Sequence, residues 1–141
     1  MQINPYLAFN GNCETAFNRY AQILGGTITF KMTHGESPMA DSVGPDWQGK
    51  IMHATLSVGD RLLQGADMPP QHFSKPHGFC LSISVKDPAE AERLFTALTE
   101  NGTVQMPLAE TFWSPRFGML TDQFGIPWMI NCESSAPPQQ S

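Results

Sequence analysis

One arrangement of residues occurs twice in this chain and limits its possible folds more than any other feature. A capped amphipathic helix, a glycine stop and a strand-like run occupy residues 12–33, and the same series returns over residues 87–106, about 75 positions later. In the first copy Asn12 stands at the N-cap, with Glu14 in the first turn where a carboxylate suits the helix dipole. Ala16, Phe17, Tyr20, Ile23 and Leu24 then recur at helical spacing as one apolar stripe, which Gly25-Gly26 ends. In the second copy Asp87-Pro88-Ala89-Glu90 supplies an N-cap, a proline at N1 and a glutamate at N3 placed for a capping box. Ala91, Leu94, Phe95 and Leu98 form the stripe, and Asn101-Gly102 is the stop.

Strand-like runs flank each helix. Ile3 to Phe9 precedes the first. Thr27 to Thr33 follows with strict alternation, which predicts Ile28, Phe30 and Met32 on one face and Thr27, Thr29, Lys31 and Thr33 on the other. Residues 34–50 have no period and read as a long loop, and loops of such length inside compact domains are often functional. Ile51 to Val58 alternates again, with Met52, Ala54, Leu56 and Val58 toward the helices and Ile51, His53, Thr55 and Ser57 facing the other way. Gly59-Asp60 turns this strand into Arg61 to Ala66. The second unit opens at Gly78, with Phe79, Leu81, Ile83 and Val85 buried and Cys80, Ser82 and Ser84 opposite. After its helix come a short strand at Thr103 to Met106, a loop from Pro107 to Pro115, and strands at Phe117 to Asp122 and Pro127 to Cys132. The expected fold is α+β, with paired βαβββ modules at about residues 1–68 and 77–133 in one domain. Their curved mixed sheets enclose a cleft lined by small polar side chains, which suits an organic ligand better than a packed core does. Residues 134–141 have no apolar periodicity and read as a disordered tail.

Composition removes several classes of function. A net charge of -5, with eight Lys and Arg scattered along 141 residues, lacks the basic patch that a phosphate-backbone binder needs, so no nucleic-acid partner is expected. No apolar run approaches membrane-spanning length, and Met1 to Pro5 lack the basic start of a signal peptide. Cys13, Cys80 and Cys132 are an odd number without CxxC spacing and read as free thiols of a cytoplasmic protein.

Several segments resemble a known family. Pro5-Tyr6-Leu7-Ala8-Phe9-Asn10-Gly11-Asn12-Cys13, Ile51-Met52-His53-Ala54, Ala66-Asp67-Met68-Pro69, Glu110-Thr111-Phe112-Trp113 and Thr121-Asp122-Gln123-Phe124-Gly125-Ile126-Pro127-Trp128-Met129-Ile130-Asn131 are similar to the PhnB-like branch of the vicinal oxygen chelate superfamily. That superfamily includes glyoxalase I, extradiol dioxygenases and bleomycin-resistance proteins. The resemblance implies the glyoxalase/bleomycin resistance/dioxygenase fold and a homodimer. In metal-dependent members, His and Glu ligands stand on the first and last strands of each module. Those positions fall here near Pro5 or Tyr6, near Leu63 or Gln64, at Phe79 or Cys80, and at Met129, which makes no set for a divalent metal. Members of the branch carry a ubiquinone-pathway methyltransferase label. No Gly-rich strand-to-helix loop is present here to support S-adenosylmethionine binding.

The candidate site residues come from the predicted faces, from the loop over 107–115 and from the positions that the resemblance marks. His53 sits mid-strand on the polar face, where an imidazole can bind a ligand oxygen, act as general base, join a displaced metal site, or bond a neighbouring strand. Glu110, beside Phe112 and Trp113, can serve as an acid or base or cap a turn. Tyr6, Gln64, Cys80 and Trp113 join His53 as candidate ligand contacts, and Trp47 is a further stacking candidate. Asp67 reads as a loop-positioning Asx residue. His34 with Glu36, and His72 with His77, have metal-compatible spacing of low specificity. The leading expectation is a small-molecule binding protein without the usual metal or any predicted cofactor. A metal-dependent lyase, isomerase or dioxygenase, with a divalent ion held partly by His53 and Glu110, is the alternative. A drug-sequestering resistance protein is a third.

Overall fold

The computed structural model describes residues 1–134, and the tail expected over 134–141 lies, from residue 135 on, outside the described residues. Two compact units divide the chain, Met1–Lys75 and the part from Pro76 onward. Each holds a four-stranded mixed sheet and one α-helix, so the repeat in the sequence is a repeat of folded units.

In the first unit β1 (Tyr6–Phe9) leads into α1 (Cys13–Leu24), followed by β2 (Thr27–Thr33), β3 (Ile51–Val58) and β4 (Arg61–Asp67). The strand order is β1-β4-β3-β2, with β1 parallel to β4 and the other pairs antiparallel. The apolar stripe of α1 buries Cys13, Ala16, Phe17, Tyr20 and Ile23 against one face of this sheet, where Leu7, Phe9, Ala54 and Leu56 meet it. Each of the larger side chains stabilises the unit by roughly 1.5–3 kcal/mol through removal from water. Gly65 admits this packing, because a Cβ there would stand 3.0 Å from both the Leu7 carbonyl oxygen and Phe17 Cζ.

The second unit contains β5 (Leu81–Val85), α2 (Pro88–Thr99), β6 (Thr103–Ala109), β7 (Arg116–Thr121) and β8 (Pro127–Cys132), in the order β5-β8-β7-β6. Helix α2 buries Ala91, Leu94, Phe95 and Leu98. A glycine again seats an aromatic ring, since a Cβ on Gly118 would lie 2.7 Å from Phe95 Cε2. The stop after α2 uses Asn101 at φ 58, and Gly102 is required by closeness, because a Cβ there would stand 2.4 Å from the Thr121 carbonyl oxygen.

Several expectations are corrected. Pairing of β1 with β4 starts at Tyr6, so the first strand is shorter than Ile3 to Phe9. Ile28 and Phe30 do not share a face, because a bulge at Thr29 makes Ile28 pair with Leu56 and Phe30 with Thr55. A second irregularity, where Met32 pairs with His53 and Thr33 with Ile51, breaks the alternation of β3 and leaves Ile51 buried. The 34–50 loop holds two short 3-10 turns, Ala40–Ser42 and Pro45–Trp47. Phe79 is exposed, because β5 begins its pairing with β8 only at Leu81. Strand β6 runs on to Ala109 where a loop was expected from Pro107. At α2 the Asp87 carboxylate caps Ala89 N at 3.0 Å, whereas Glu90 bonds Arg93 and forms no capping box.

The largest correction is at α1. Asn12 makes no side-chain cap, and the buried carboxylate of Asp67 takes that place from across the sheet. Its Oδ1 accepts Gly11 N at 3.0 Å and Cys13 N at 2.9 Å, while Oδ2 accepts Ile51 N at 2.8 Å. Asp67 is therefore structural, as expected, but through long-range bonds and not an Asx turn. Replacing it by Ala leaves the buried N–H groups of Cys13 and Ile51 and the part-buried one of Gly11 without this acceptor, and urea unfolding should show a loss of about 3–5 kcal/mol. A loss under about 1 kcal/mol would show that water replaces the carboxylate. Gly102→Ala should be destabilising by about 1–3 kcal/mol in the same assay.

Candidate functional site

Cross-strand pairing determines which side chains share a face, and in the first unit it gathers a polar row. Tyr6 pairs with Gln64, Gln64 with Thr55, Thr55 with Phe30, and His53 with Met32. All stand on the face turned away from α1. Tyr6 reaches across β4, and its Oη lies 3.0 Å from His53 Nδ1. The other ring nitrogen, Nε2, lies 3.3 Å from Thr55 Oγ1. The Tyr6 and Phe30 rings flank the imidazole at centroid distances of 5.5 and 5.6 Å. Tyr6 and Phe30 are nonetheless 47% and 45% exposed, so an incoming molecule meets this row directly. Burial of part of the phenol, followed by the nearby Cys13 thiol, pushes the Tyr6 pKa above its ordinary 10, and the hydroxyl keeps its proton.

The 34–50 loop is pinned beside this sheet. His34 Nε2 lies 3.2 Å from the Asp67 carbonyl oxygen, and its ring meets Trp47 edge-on at 6.0 Å. Glu36 Oε1 accepts Thr33 N at 3.0 Å and Thr33 Oγ1 at 2.8 Å, and these bonds hold its carboxyl below the usual range. His34 and Glu36 thus bond to different groups and do not converge on a cation. Lys50 Nζ donates to the Gly11 carbonyl at 2.9 Å, which ties the loop's end to the turn before α1.

The remaining candidates belong to the second unit. Glu110 is exposed directly after β6. Trp113 is half exposed and lies edge-on to Phe112 at 4.6 Å and to Phe117 at 5.3 Å. Its loop is fixed from below: Thr111 Oγ1 accepts Trp113 N and Ser114 N, and buried Ser114 Oγ bonds the Cys132 carbonyl at 2.7 Å. Cys80 is half-buried just before β5, and Ser82 Oγ lies 3.7 Å from Met129 Sδ. Trp128 packs, fully buried, with Nε1 donating to Asp122 Oδ2 at 2.8 Å. Tyr6, His53 and Gln64 therefore stand together, while Glu110, Cys80 and Trp113 lie in the other unit.

Sequence reasoning missed Thr55 and Phe30 as partners of His53. The alternation His53-Ala54-Thr55 carried the signal for Thr55, whereas the bulge hid Phe30.

The donor chemistry does not fit the metal that the fold's metal-dependent members hold. Tyr6, Gln64, Cys80 and Met129 offer a phenol, an amide, a thiol and a thioether, and both nitrogens of His53 are engaged. Among the described residues no three His, Cys, Asp or Glu side chains are grouped to hold an ion. S-adenosylmethionine fits no better. No Gly-rich loop joins β1 to α1, where Asn10, Gly11 and Asn12 stand, or β5 to α2, where Lys86 and Asp87 stand.

Two βαβββ units with these sheets define a protein of the vicinal oxygen chelate type. Fosfomycin resistance protein FosX from Listeria monocytogenes shares the fold with a TM-score of 0.65 at 7% identity, over 96% of this chain and 94% of that one. A sequence model of the family described as 3-demethylubiquinone-9 3-methyltransferase matches residues 1–131, and the chain belongs to this PhnB-like family. It is 35% identical to protein YjdN of Escherichia coli strain K12, over 99% of this chain and all of YjdN. The crystal structure of PA1353 from Pseudomonas aeruginosa superposes with a TM-score of 0.86 at 51% identity, over 94% and 98% of the two chains. The PhnB protein of Bacillus cereus gives 0.80 at 25% identity, over 94% and 99%.

The raised Tyr6 pKa has a spectroscopic consequence. In an ultraviolet pH titration, the difference between wild type and Tyr6→Phe should show one phenol ionising above pH 10. Because the folded pKa exceeds the unfolded one, Tyr6 contributes stability that is complete below pH 10 and is lost as pH rises through the folded value. A difference transition below pH 10 would contradict the burial of this hydroxyl.

Proposed function

We propose that the chain is a small-molecule binding protein of the vicinal oxygen chelate fold, and that the face of the first sheet turned away from α1 is its principal binding surface. The observation that carries this reading is the hydrogen-bonded row Tyr6, His53 and Thr55 on a half-exposed face, with the Phe30 ring beside it. A small set of fixed polar groups among aromatic surfaces is what orients an organic ligand. Gln64 adds an amide with both donor and acceptor character between Tyr6 and Thr55. In the second unit Trp113 offers a half-exposed aromatic surface on a fixed loop, and Cys80 and Glu110 are secondary candidates. The binding role does not depend on a metal.

The reading is tested by screening small aromatic and oxygenated compounds and mapping them on amide spectra. Hits should perturb Tyr6, His53 and Gln64. Tyr6→Phe and Gln64→Leu should each weaken those hits by about tenfold. Hits that perturb neither Tyr6 nor Gln64, or that bind both variants unchanged, would move the site elsewhere.

We also infer a homodimer located in the cytoplasm. Each sheet, taken by itself, ends on two edge strands, and edges are commonly covered by pairing with another chain. The three cysteines are free, as in a reducing compartment. Light scattering at micromolar concentration should return twice the chain mass of 15.5 kDa, and a monomer mass would refute the dimer.

A further inference from the structure

We propose that the face of the second sheet turned away from α2 holds a separate ligand site, in which Asn131 is the polar anchor for an aromatic molecule carrying an N–H or O–H group. The inference goes beyond the binding row of the first sheet and does not depend on it.

An orphaned acceptor carries it. Asn131 Oδ1 is enclosed, yet it has no hydrogen-bond partner among the described residues. A buried oxygen left unpaired is destabilising, so such groups are few in folded proteins and each calls for a cause. Strand pairing fixes where this one lies. Asn131 stands opposite Ser84 on β5 and Phe117 on β7, and the Ser84 hydroxyl, one strand away, does not satisfy it. Trp128, Ile130 and Cys132, which alternate with Asn131 along β8, are buried on the side where α2 packs, so the amide belongs to the other face. There Met129, two residues before it, pairs with Met119, and the Trp113 ring lies edge-on to Phe117 at 5.3 Å.

The internal repeat shows that packing in this fold does not require an amide at this place. Met129, Met119 and Met106 pair across β8, β7 and β6 as Gln64, Thr55 and Phe30 pair across β4, β3 and β2, with a bulge before the last member in both. Two residues further along the strand, the first sheet has buried Ala66 where the second has Asn131. A methyl group suffices there, so the amide is an addition that costs stability until something donates to it. The neighbours indicate the body of that donor. Thioethers make favourable contacts with aromatic rings, and Trp113, half exposed on its fixed loop, offers a ring of its own. Asn131 as a whole is part-exposed, so its oxygen lies close beneath the surface. A modest turn about χ2, a broad torsion in asparagine, uncovers it for an incoming N–H or O–H.

Indole and benzofuran are planar and alike in shape, and only indole carries a donor, so the pair separates anchoring by Asn131 from plain apolar contact. Each is titrated into the protein while backbone and side-chain amide spectra are recorded. Indole should move the Asn131 side-chain amide signals together with the backbone signals of Met119 and Met129, and should bind about fivefold to tenfold more tightly than benzofuran. Asn131→Leu removes the acceptor with a side chain of similar size. It should bring the two probes within about twofold of each other and leave the melting temperature unchanged or higher, because an unpaired buried oxygen is gone. A lower melting temperature, or failure to fold, would show that the oxygen has a structural partner such as a bound water, and would overturn the proposal. So would equal binding of the two probes by the wild type, or a preference for indole that survives in Asn131→Leu. Indole that moved only Tyr6, His53 and Gln64 would remove this second site and leave the first sheet's face standing.

Discussion

The buried carboxylate of Asp67 is the interaction on which the first unit depends. From the end of β4 it binds the N–H groups of Gly11 and Cys13, which follow β1, and of Ile51, which opens β3. A carboxyl group this far from water is tolerated because three N–H dipoles converge on it, and the same bonds satisfy groups that would otherwise be orphaned at the start of α1. The consequence reaches the binding face. Tyr6 lies on β1 and His53 on β3, so the 3.0 Å contact between them requires these two strands to be held across β4. Asp67 supplies the tie on one side of the sheet, and the Tyr6–His53 bond is its counterpart on the other.

Irregularity in the strands then decides which chemistry appears on that face. Without the bulge at Thr29, Phe30 would sit with Ile28 against the helix, and His53 would lack its second aromatic neighbour. Helix packing is similarly local in its demands. Phe17 and Phe95 each approach the sheet over a glycine, where a methyl group would crowd Phe17 at Gly65 and collide with Phe95 at Gly118. These contacts hold the helices close while leaving the opposite faces for polar side chains.

Family membership and site chemistry point in different directions here. The family's description implies methyl transfer, yet neither strand-to-helix connection is a Gly-rich loop. The fold's relatives include metal-dependent proteins, yet the positions concerned carry phenol, amide and thioether groups. One fold hosts many chemistries, so the side chains on the face decide the role. Those side chains form a row of hydroxyl, imidazole and amide groups beside aromatic rings.

Much of the architecture was legible from the residues alone. Helical spacing in 12–24 and 88–98, the glycine stops, and strict alternation in 27–33 and 51–58 place both helices and most strands, because these periods are properties of the local backbone. The alternation also put His53 on the polar face, and the family resemblance nominated Tyr6 and Gln64 beside it. What the sequence could not contain was the meeting of distant residues. The Asp67 clamp spans more than fifty positions, the Tyr6–His53 bond spans 47, and the bulge that turns Phe30 toward His53 exists only because β2 and β3 pair in one register. Local periodicity determines which elements form, and it gives the apolar face wherever a strand pairs without a bulge. Only the tertiary structure decides which polar atoms come within 3 Å of one another, because strand register and side-chain reach are set by packing between segments that the chain keeps far apart.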